Sequence, residues 1–377
     1  MGAVMMRPGF DAARCIVVKV GSSLLQAGDA VIAAIVSDIV ALRGRGRRII
    51  LVSSGAVALG RTRLGLPAGD LSLEQKQAAA AVGQPLLVGL WESAFATHQT
   101  VTAQALLTLD VTENRRSWLN ARATLSTLLD LGAIPIVNEN DTIATDEIRY
   151  GDNDRLAARV AQLVGADLLV LLSDIDGLHE ADPRLAPDAP AIHDIDVIDD
   201  RIRAMAGDAG TGVGTGGMRT KILAAELAGG SGCATAITLG SADTPLLALA
   251  RPDHGSWFHP AGTSANARKR WISGVVSRNG AVRIDDGAAS ALVQGKSLLP
   301  VGVQSVEGQF ERGETIRILG QDGRLIARGV TAYNADDARL IAGCRSDLAG
   351  RRLGYRRSAA LVHADDIVVA GTAGDER

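Results

Sequence analysis

At 377 residues, with 47% hydrophobic, 21% charged and 3% aromatic residues and a formal net charge of -3, the chain has the composition of a globular protein of two or three domains, without the basic excess of a nucleic-acid binder. Its three cysteines, Cys15, Cys233 and Cys344, are odd in number and far apart, which excludes a closely spaced zinc site or disulfide framework and fits a reducing cytosol. Residues 1–14 lack the apolar core of a signal peptide and no run reaches the ~18 apolar residues of a membrane helix, so a cytoplasmic location is expected.

Taken in order, Cys15 to Gly21 predicts a strand that ends in Gly21-Ser22-Ser23, a turn whose backbone N–H groups can face an anion. Lys19 interrupts this apolar run. Only five of the 39 basic residues are lysine, so a lysine among small and apolar neighbours reads either as a strand residue reaching for solvent or as a compact charge placed for a phosphoryl group. Ile32, Ile35, Val36, Ile39 and Val40 fall at helical spacing after an Asp29 cap. A second strand, Arg48 to Val52, runs into the small residues Ser53-Ser54-Gly55-Ala56. Residues 61–71 predict a protruding loop, Leu73 to Phe95 a helix broken near Gly83 and Pro85, Val101 to Leu109 a short strand, and Glu113 to Leu131 another helix.

The strand Ile134 to Val137 leads directly into Asn138, Glu139, Asn140 and Asp141, and then Gly151-Asp152-Asn153-Asp154. Open α/β sheets bind ligands beyond the carboxyl ends of their strands, so amides and carboxylates gathered there can grip an ammonium or orient cationic side chains; a solvated surface loop is the alternative. Ala166 to Asp174 predicts a central parallel strand ending at Ser173-Asp174. After an excursion through His179 and Arg184, a glycine-rich loop, Gly210 to Met218, enters a helix that carries Lys221 in its first turn and runs to about Leu227. The loop lacks the GxxxxGK[ST] order of a P-loop, and no strand runs into it as a dinucleotide fingerprint requires. Thr235 to Leu239 predicts a further strand and Ser264 to Trp271 a basic helix. Near residue 275 the texture changes to short β-like runs, Thr315 to Leu319, Leu325 to Val330 and Ala359 to Val362, with one helix near Ala288 to Gln294. Two domains are expected, 1–273 and 279–377; from residue 274 onward 14 basic face 13 acidic residues, so no strong nucleic-acid binding is expected.

The strings VVKVGSS, VSSGA, VNENDTIATDEIRYGDND, LLSD and GTGGMRTK, in this order, resemble the glutamate-phosphorylating members of the amino acid kinase family, and the stretch from about residue 279 resembles a PUA domain. His179 stands where the resemblance leads one to expect an aromatic such as tyrosine. The resemblance implies an α/β amino acid kinase fold, an open and mainly parallel sheet between helices, followed by a small β-rich domain. It implies transfer of a phosphoryl group from ATP to the side-chain carboxylate of L-glutamate, the first step of proline synthesis. Position by position, it implies Lys19, Lys221, Asp154 and Asp174 as the catalytic set, with the two carboxylates holding the lysines. Lys19, Ser173, Asp174, Thr215, Gly216, Gly217, Met218, Arg219, Thr220 and Lys221 would bind ATP; Ser54, Asp141 and Asn153 would bind glutamate, Asp141 taking the ammonium. Mg2+ is expected on the phosphate oxygens, with no protein metal site. The resemblance further implies feedback by proline, coupling to glutamate-5-semialdehyde dehydrogenase and a homo-oligomer, dimer or tetramer. An enzyme of the same fold acting on another carboxylate, or an RNA-binding protein suggested by the tail, are the alternatives.

Overall fold

A computed structural model describes residues 7–108, 115–143, 153–206, 217–262, 280–354 and 359–370, and the chain divides into two compact units, Met1–Ser264 and Ala265–Arg377. In the first unit the elements are α1 (Pro8–Ala12), β1 (Cys15–Val20), α2 (Ser22–Gln26), α3 (Asp29–Gly44), β2 (Arg48–Ser53), α4 (Ala56–Leu64), α5 (Leu73–Ala96), β3 (Thr102–Leu107), α6 (Arg115–Asp130), β4 (Ile134–Glu139), α7 (Asn153–Val164), β5 (Leu168–Ser173), β6 (Leu178–His179), β7 (Ala191–Ile192), β8 (Asp194–Ile195), α8 (Asp200–Met205), α9 (Met218–Gly230), β9 (Ala234–Leu239) and β10 (Ser256–Phe258). Eight strands form one sheet in the order β3-β4-β2-β1-β5-β9-β10-β8. From β3 to β9 every pairing is parallel, as β-α-β connections require, and β10 then runs antiparallel to β9.

Alternation along β1 decides what each face of the sheet covers. Ile16, Val18 and Val20 enter a core with Ile35 and Ile39 of α3 and with Trp91 and Phe95 of α5. Cys15 and Val17 enter the opposite core, with Leu156 and Val160 of α7 and Ile222 of α9. Lys19 falls on that second face by the same period of two, so the helices covering it must answer its charge.

Several local expectations change. Asp29 lies inside the first turn of α3, where its charge suits the helix N-terminus, while Gly28, at φ 107°, takes the capping position. α4 occupies the start of the expected loop and ends at Gly65, whose φ of 64° closes the helix in the left-handed region. α5 runs unbroken through Gly83 and Pro85 from a Ser72–Gln75 capping box. Pro85 and Ala81 are both exposed, so the carbonyl that Pro85 cannot pair is free to turn toward water. Gly83 serves packing instead of breaking the helix: a Cβ there would lie 1.8 Å from the Ala56 carbonyl oxygen, and one on Gly60 would lie 1.8 Å from that of Ala79. The expected helix from Ser264 to Trp271 falls outside the described residues.

The second unit holds β11 (Gly280–Ile284), α10 (Asp286–Val293), β12 (Val303–Gly308), β13 (Thr315–Leu319), β14 (Leu325–Thr331), α11 (Ala335–Ile341), α12 (Ser346–Leu353) and β15 (Val362–Val369), with sheet order β12-β11-β13-β14-β15. Val282, Ile284, Ile316, Ile318, Tyr333 and Leu361 form its own core. The last strand begins three residues later than expected, and β11, β12, α11 and α12 are additional; Asn334 starts α11 by accepting from the Asp337 amide at 2.8 Å. No helix among the described residues is long and apolar enough to cross a membrane.

The α4–α5 contact yields a stability prediction. Gly60→Ala gains helix propensity of roughly 1 kcal/mol, but the Cβ meets backbone, which cannot swing away; overpacking wins, and we expect a net loss of about 2 kcal/mol or more, read as a lowered denaturation midpoint.

Candidate active site

β1 lies between β2 and β5, with Lys19 opposite Val52 on one side and Leu171 on the other. The carboxyl ends of β2, β4 and β5 therefore gather Ser53-Ser54, Asn138-Glu139 and Ser173 along one edge of the sheet, beside Lys19. Over this edge come the first turns of α7 and α9.

Asp154, in the first turn of α7, has no exposed surface. Its Oδ1 lies 2.6 Å from the Lys19 ammonium and its Oδ2 3.3 Å from that of Lys221, and the Thr220 hydroxyl approaches Oδ2 at 3.1 Å. Both lysines are about as buried, at 6% and 5% exposure. Burial pushes the Asp154 carboxyl up, but the two ammonium groups more than offset this and hold it below the usual carboxylate range. One carboxylate between two ammoniums gives these three side chains, taken together, a positive balance. Such a charge is costly to bury alone, and an anionic ligand at the same edge would answer it.

α9 adds its amino-terminal dipole. Gly217 precedes its first turn in extended conformation, and Met218, Arg219, Thr220 and Lys221 form that turn. Of the expected nucleotide-binding loop, Thr215 and Gly216 lie outside the described residues.

On the other side of Lys19 a network of amides and a hydroxyl joins the strand ends. Asn153 Nδ2 donates to Ser54 Oγ at 2.8 Å and to Asn138 Oδ1 at 3.0 Å, joining the start of α7 to the ends of β2 and β4. Ser54 and Asn153 thus meet as expected. Asp141 is half-buried beyond β4, and burial pushes its carboxyl up to about 6. Asp174 stands apart from the lysines: it is exposed and accepts from the Ser173 hydroxyl at 3.1 Å, so among the described residues Asp154 alone joins the two ammoniums.

Two supporting residues, Trp91 and Gln84, went unrecognised in the sequence. Trp91 Nε1 donates to Ser53 Oγ at 2.9 Å, and Gln84 Nε2 donates to the Glu139 carbonyl at 3.3 Å, so α5 braces the ends of both β2 and β4. Asn138, noted only as part of a polar loop, is the buried acceptor for Asn153. A glutamine on the buried face of an alanine-rich helix was the available signal for Gln84. The arrangement as a whole can neutralise a polyphosphate at the lysines and orient a small polar acceptor beside them.

Replacing Asp154 tests the triad. Asp154→Asn keeps the shape but takes the shared carboxylate away from two buried ammoniums, an expected loss of about 3–5 kcal/mol near neutral pH. Because the carboxyl is depressed, its contribution is present above the ordinary carboxylate range and lost as pH falls through the folded value; the gap between wild type and variant in thermal unfolding should close in acid.

Comparison with known proteins places this geometry in context. The family model described as the amino acid kinase family matches residues 14–238, and that of the PUA domain matches residues 280–351. The chain is 53% identical over 369 residues to the glutamate 5-kinase of Caulobacter vibrioides strain NA1000 / CB15N, covering 96% of this chain and 98% of that one. It is 52% identical over 373 residues to glutamate 5-kinase 1 of Rhizobium meliloti strain 1021, covering 98% and 95%. Among solved structures, carbamate kinase from Giardia lamblia bound to AMP-PNP aligns with a TM-score of 0.46 and 18% identity over 66% of this chain and 99% of that one.

Proposed function

The chain belongs to the amino acid kinase family, and from that premise we propose that it transfers the γ-phosphoryl group of ATP to the side-chain carboxylate of L-glutamate, giving ADP and L-glutamyl 5-phosphate, the glutamate 5-kinase reaction that opens proline biosynthesis. The observation that carries the reading is the buried Lys19–Asp154–Lys221 triad beside the Ser54–Asn138–Asn153 cluster. Likeness over nearly the whole chain to proteins named glutamate 5-kinase supports the choice of acceptor.

The chemistry asks little of the protein beyond charge and alignment. A free carboxylate, with pKa about 4.3, is already ionised near neutrality, so no general base is required. An acyl phosphate forms as the carboxylate oxygen attacks phosphorus and the ADP oxygen leaves with its electron pair. Lys19 and Lys221 neutralise the charge spread over the transferring group, and Asp154 keeps the two ammoniums at their posts. Ser173, Asp174 and the stretch Thr215 to Lys221 hold the nucleotide. Ser54 and Asn153 orient glutamate, and Asp141 takes its ammonium.

The donor set at the triad is cationic, and its one carboxylate is engaged by both lysines. Mg2+ therefore enters this reading as a partner of the ATP phosphates, where it would neutralise oxygen charge. The reading extends to proline as feedback inhibitor, to a homo-oligomer of two or four chains in the cytoplasm, and to glutamate-5-semialdehyde dehydrogenase as consumer of the labile acyl phosphate. Tight RNA binding by the PUA-type unit is not part of it.

The deciding experiment traps the product with hydroxylamine, offering L-glutamate, L-aspartate and N-acetylglutamate in turn with ATP, with and without Mg2+. Hydroxamate from glutamate alone is expected; product only from another acid keeps the mechanism and overturns the acceptor. Lys221→Ala should lower kcat by a factor on the order of 10², the usual loss of one donor to a transition-state charge. Asp141 adds a pH signature: protonated, it cannot pair with an ammonium, so kcat/KM for glutamate should fall as pH drops below about 6. Asp141→Asn should raise the glutamate KM, leave that for ATP nearly unchanged and abolish this acid limb.

A further inference from the structure

His179 plays no part in the proposed chemistry, yet its ring is held at both nitrogens. Nδ1 lies 2.8 Å from the Ala189 carbonyl oxygen and Nε2 2.8 Å from Asp176 Oδ1, and the side chain is 11% exposed. A neutral imidazole has one N–H and can serve one of these two acceptors, whereas the imidazolium serves both. Burial pushes the ring toward neutrality, but the carbonyl and the carboxylate outweigh it and raise its pKa. Asp176 is the charged group acting on the ring. Glu180 pairs with Arg201 at 3.1 Å and Asp182 with Arg184 at 2.9 Å, while Asp188, before β7, is exposed. After β7, His193 bonds through Nδ1 to the Gly255 carbonyl at 2.9 Å.

The base of this hairpin is fixed independently of pH. The Leu178 amide donates to the fully buried hydroxyl of Ser256 on β10 at 2.7 Å, and Gly177 sits so close that a Cβ would lie 2.5 Å from the same oxygen. What remains to be held is the short turn from Asp174 to Asp176, which joins Ser173 at the end of β5 to that base. The Asp176–His179 contact ties the last residue of this turn to β6.

We propose that His179 is a positioning residue for the nucleotide: as an imidazolium bonded at both nitrogens it draws the Asp174–Asp176 turn onto the β6–β7 hairpin, and nucleotide affinity weakens as the ring loses its second proton. The inference rests on the assignment of Ser173 and Asp174 to the nucleotide. Its sign follows from the contacts. The latch is whole below the ring's pKa and loses one of its two bonds as pH rises through it, because a neutral ring turns a lone pair toward the Asp176 carboxylate or abandons Ala189. Asp176 is largely exposed, with a side chain at 64%, so solvent screening keeps the effect modest.

The test compares wild type with His179→Gln and Asp176→Asn from about pH 6 to about pH 9, which spans the histidine range. It measures the KM for MgATP and for L-glutamate, ADP affinity by calorimetry, and the titration of His179 by NMR. Ratios to wild type remove the nucleotide's own titration. Wild type should bind nucleotide about threefold more tightly than either variant at the acid end. The ratio should approach unity at the alkaline end, the glutamate ratio should stay constant, and His179 should titrate above the free-histidine range. A nucleotide ratio that does not change with pH, equal shifts for both substrates, or a ring titrating at or below the free value would overturn the latch. A protein that binds ADP but fails to phosphorylate glutamate sinks the proposed function alone, since the ADP data still judge the latch; a protein that binds no nucleotide sinks both.

Discussion

A fully buried carboxylate pinned between two buried ammonium groups is the constraint on which the first unit depends. Asp154, Lys19 and Lys221 come from three elements far apart in sequence, and none is tolerable in the interior without the others. Their pairing therefore dictates how the amino-terminal turns of α7 and α9 sit over β1. Within the three side chains themselves, two positive charges meet one negative. Structure and reactivity draw on the same interaction: the charge that makes the site expensive when empty is the charge that would make it hold a polyphosphate. That both cations are lysines in a chain otherwise rich in arginine fits the need for compact charges on flexible stems, able to follow a group that moves from one oxygen to another.

The sheet supplies the rest of the geometry. Because β1, β2, β4 and β5 run parallel, their carboxyl ends lie on one edge, and polar residues placed just past each apolar strand come together without any local signal linking them. α5 stiffens this edge from behind. Its Trp91 and Gln84 reach the ends of β2 and β4 with one hydrogen bond each, and its close approach to α4 through Gly60 and Gly83 fixes the helix that carries them. On the proposed reading, residues one layer away from the acceptor thus help set its position.

Much of this was legible in the sequence, for identifiable reasons. Apolar runs of strand length followed by small or polar residues marked β1, β2, β4 and β5, and Lys19 stood out because a charge in the middle of such a run requires an answer. Its partner was harder to name. Asp154 and Asp174 both follow a promising motif, and only the fold places the first beneath both lysines and the second in solvent. Gly83 and Pro85 suggested a break in α5 because propensity is local, whereas the reason for Gly83, a backbone oxygen on another helix, is not. The partners of Trp91 and Gln84 were invisible for the same reason: nothing in an alanine-rich helix says which strand end a side chain will meet. In the second unit β13, β14 and the start of β15 were legible, whereas β11, β12 and the helices α11 and α12 were not; segments of five to eight residues carry little periodicity.

The two sides of Lys19 follow opposite electrostatic rules, and the difference fits the proposed reaction. Toward α9 the site uses full charges and a helix terminus, which suit a phosphate chain whose several negative charges vary little near neutrality. Toward β2 and β4 it uses amides and a hydroxyl, which orient an acceptor without drawing away the negative charge that makes a carboxylate nucleophilic. Were a third ammonium placed there, it would bind the acceptor carboxylate more tightly in the ground state and blunt its attack, adding affinity at the expense of turnover. Asp141 completes the division, because burial has already raised its carboxyl toward neutrality and an arriving ammonium would restore its charge. The pair would form where neither partner is strongly solvated, a few residues beyond the strand end that holds Asn138, and so would distinguish an amino acid with a free amine from one whose amine is acylated.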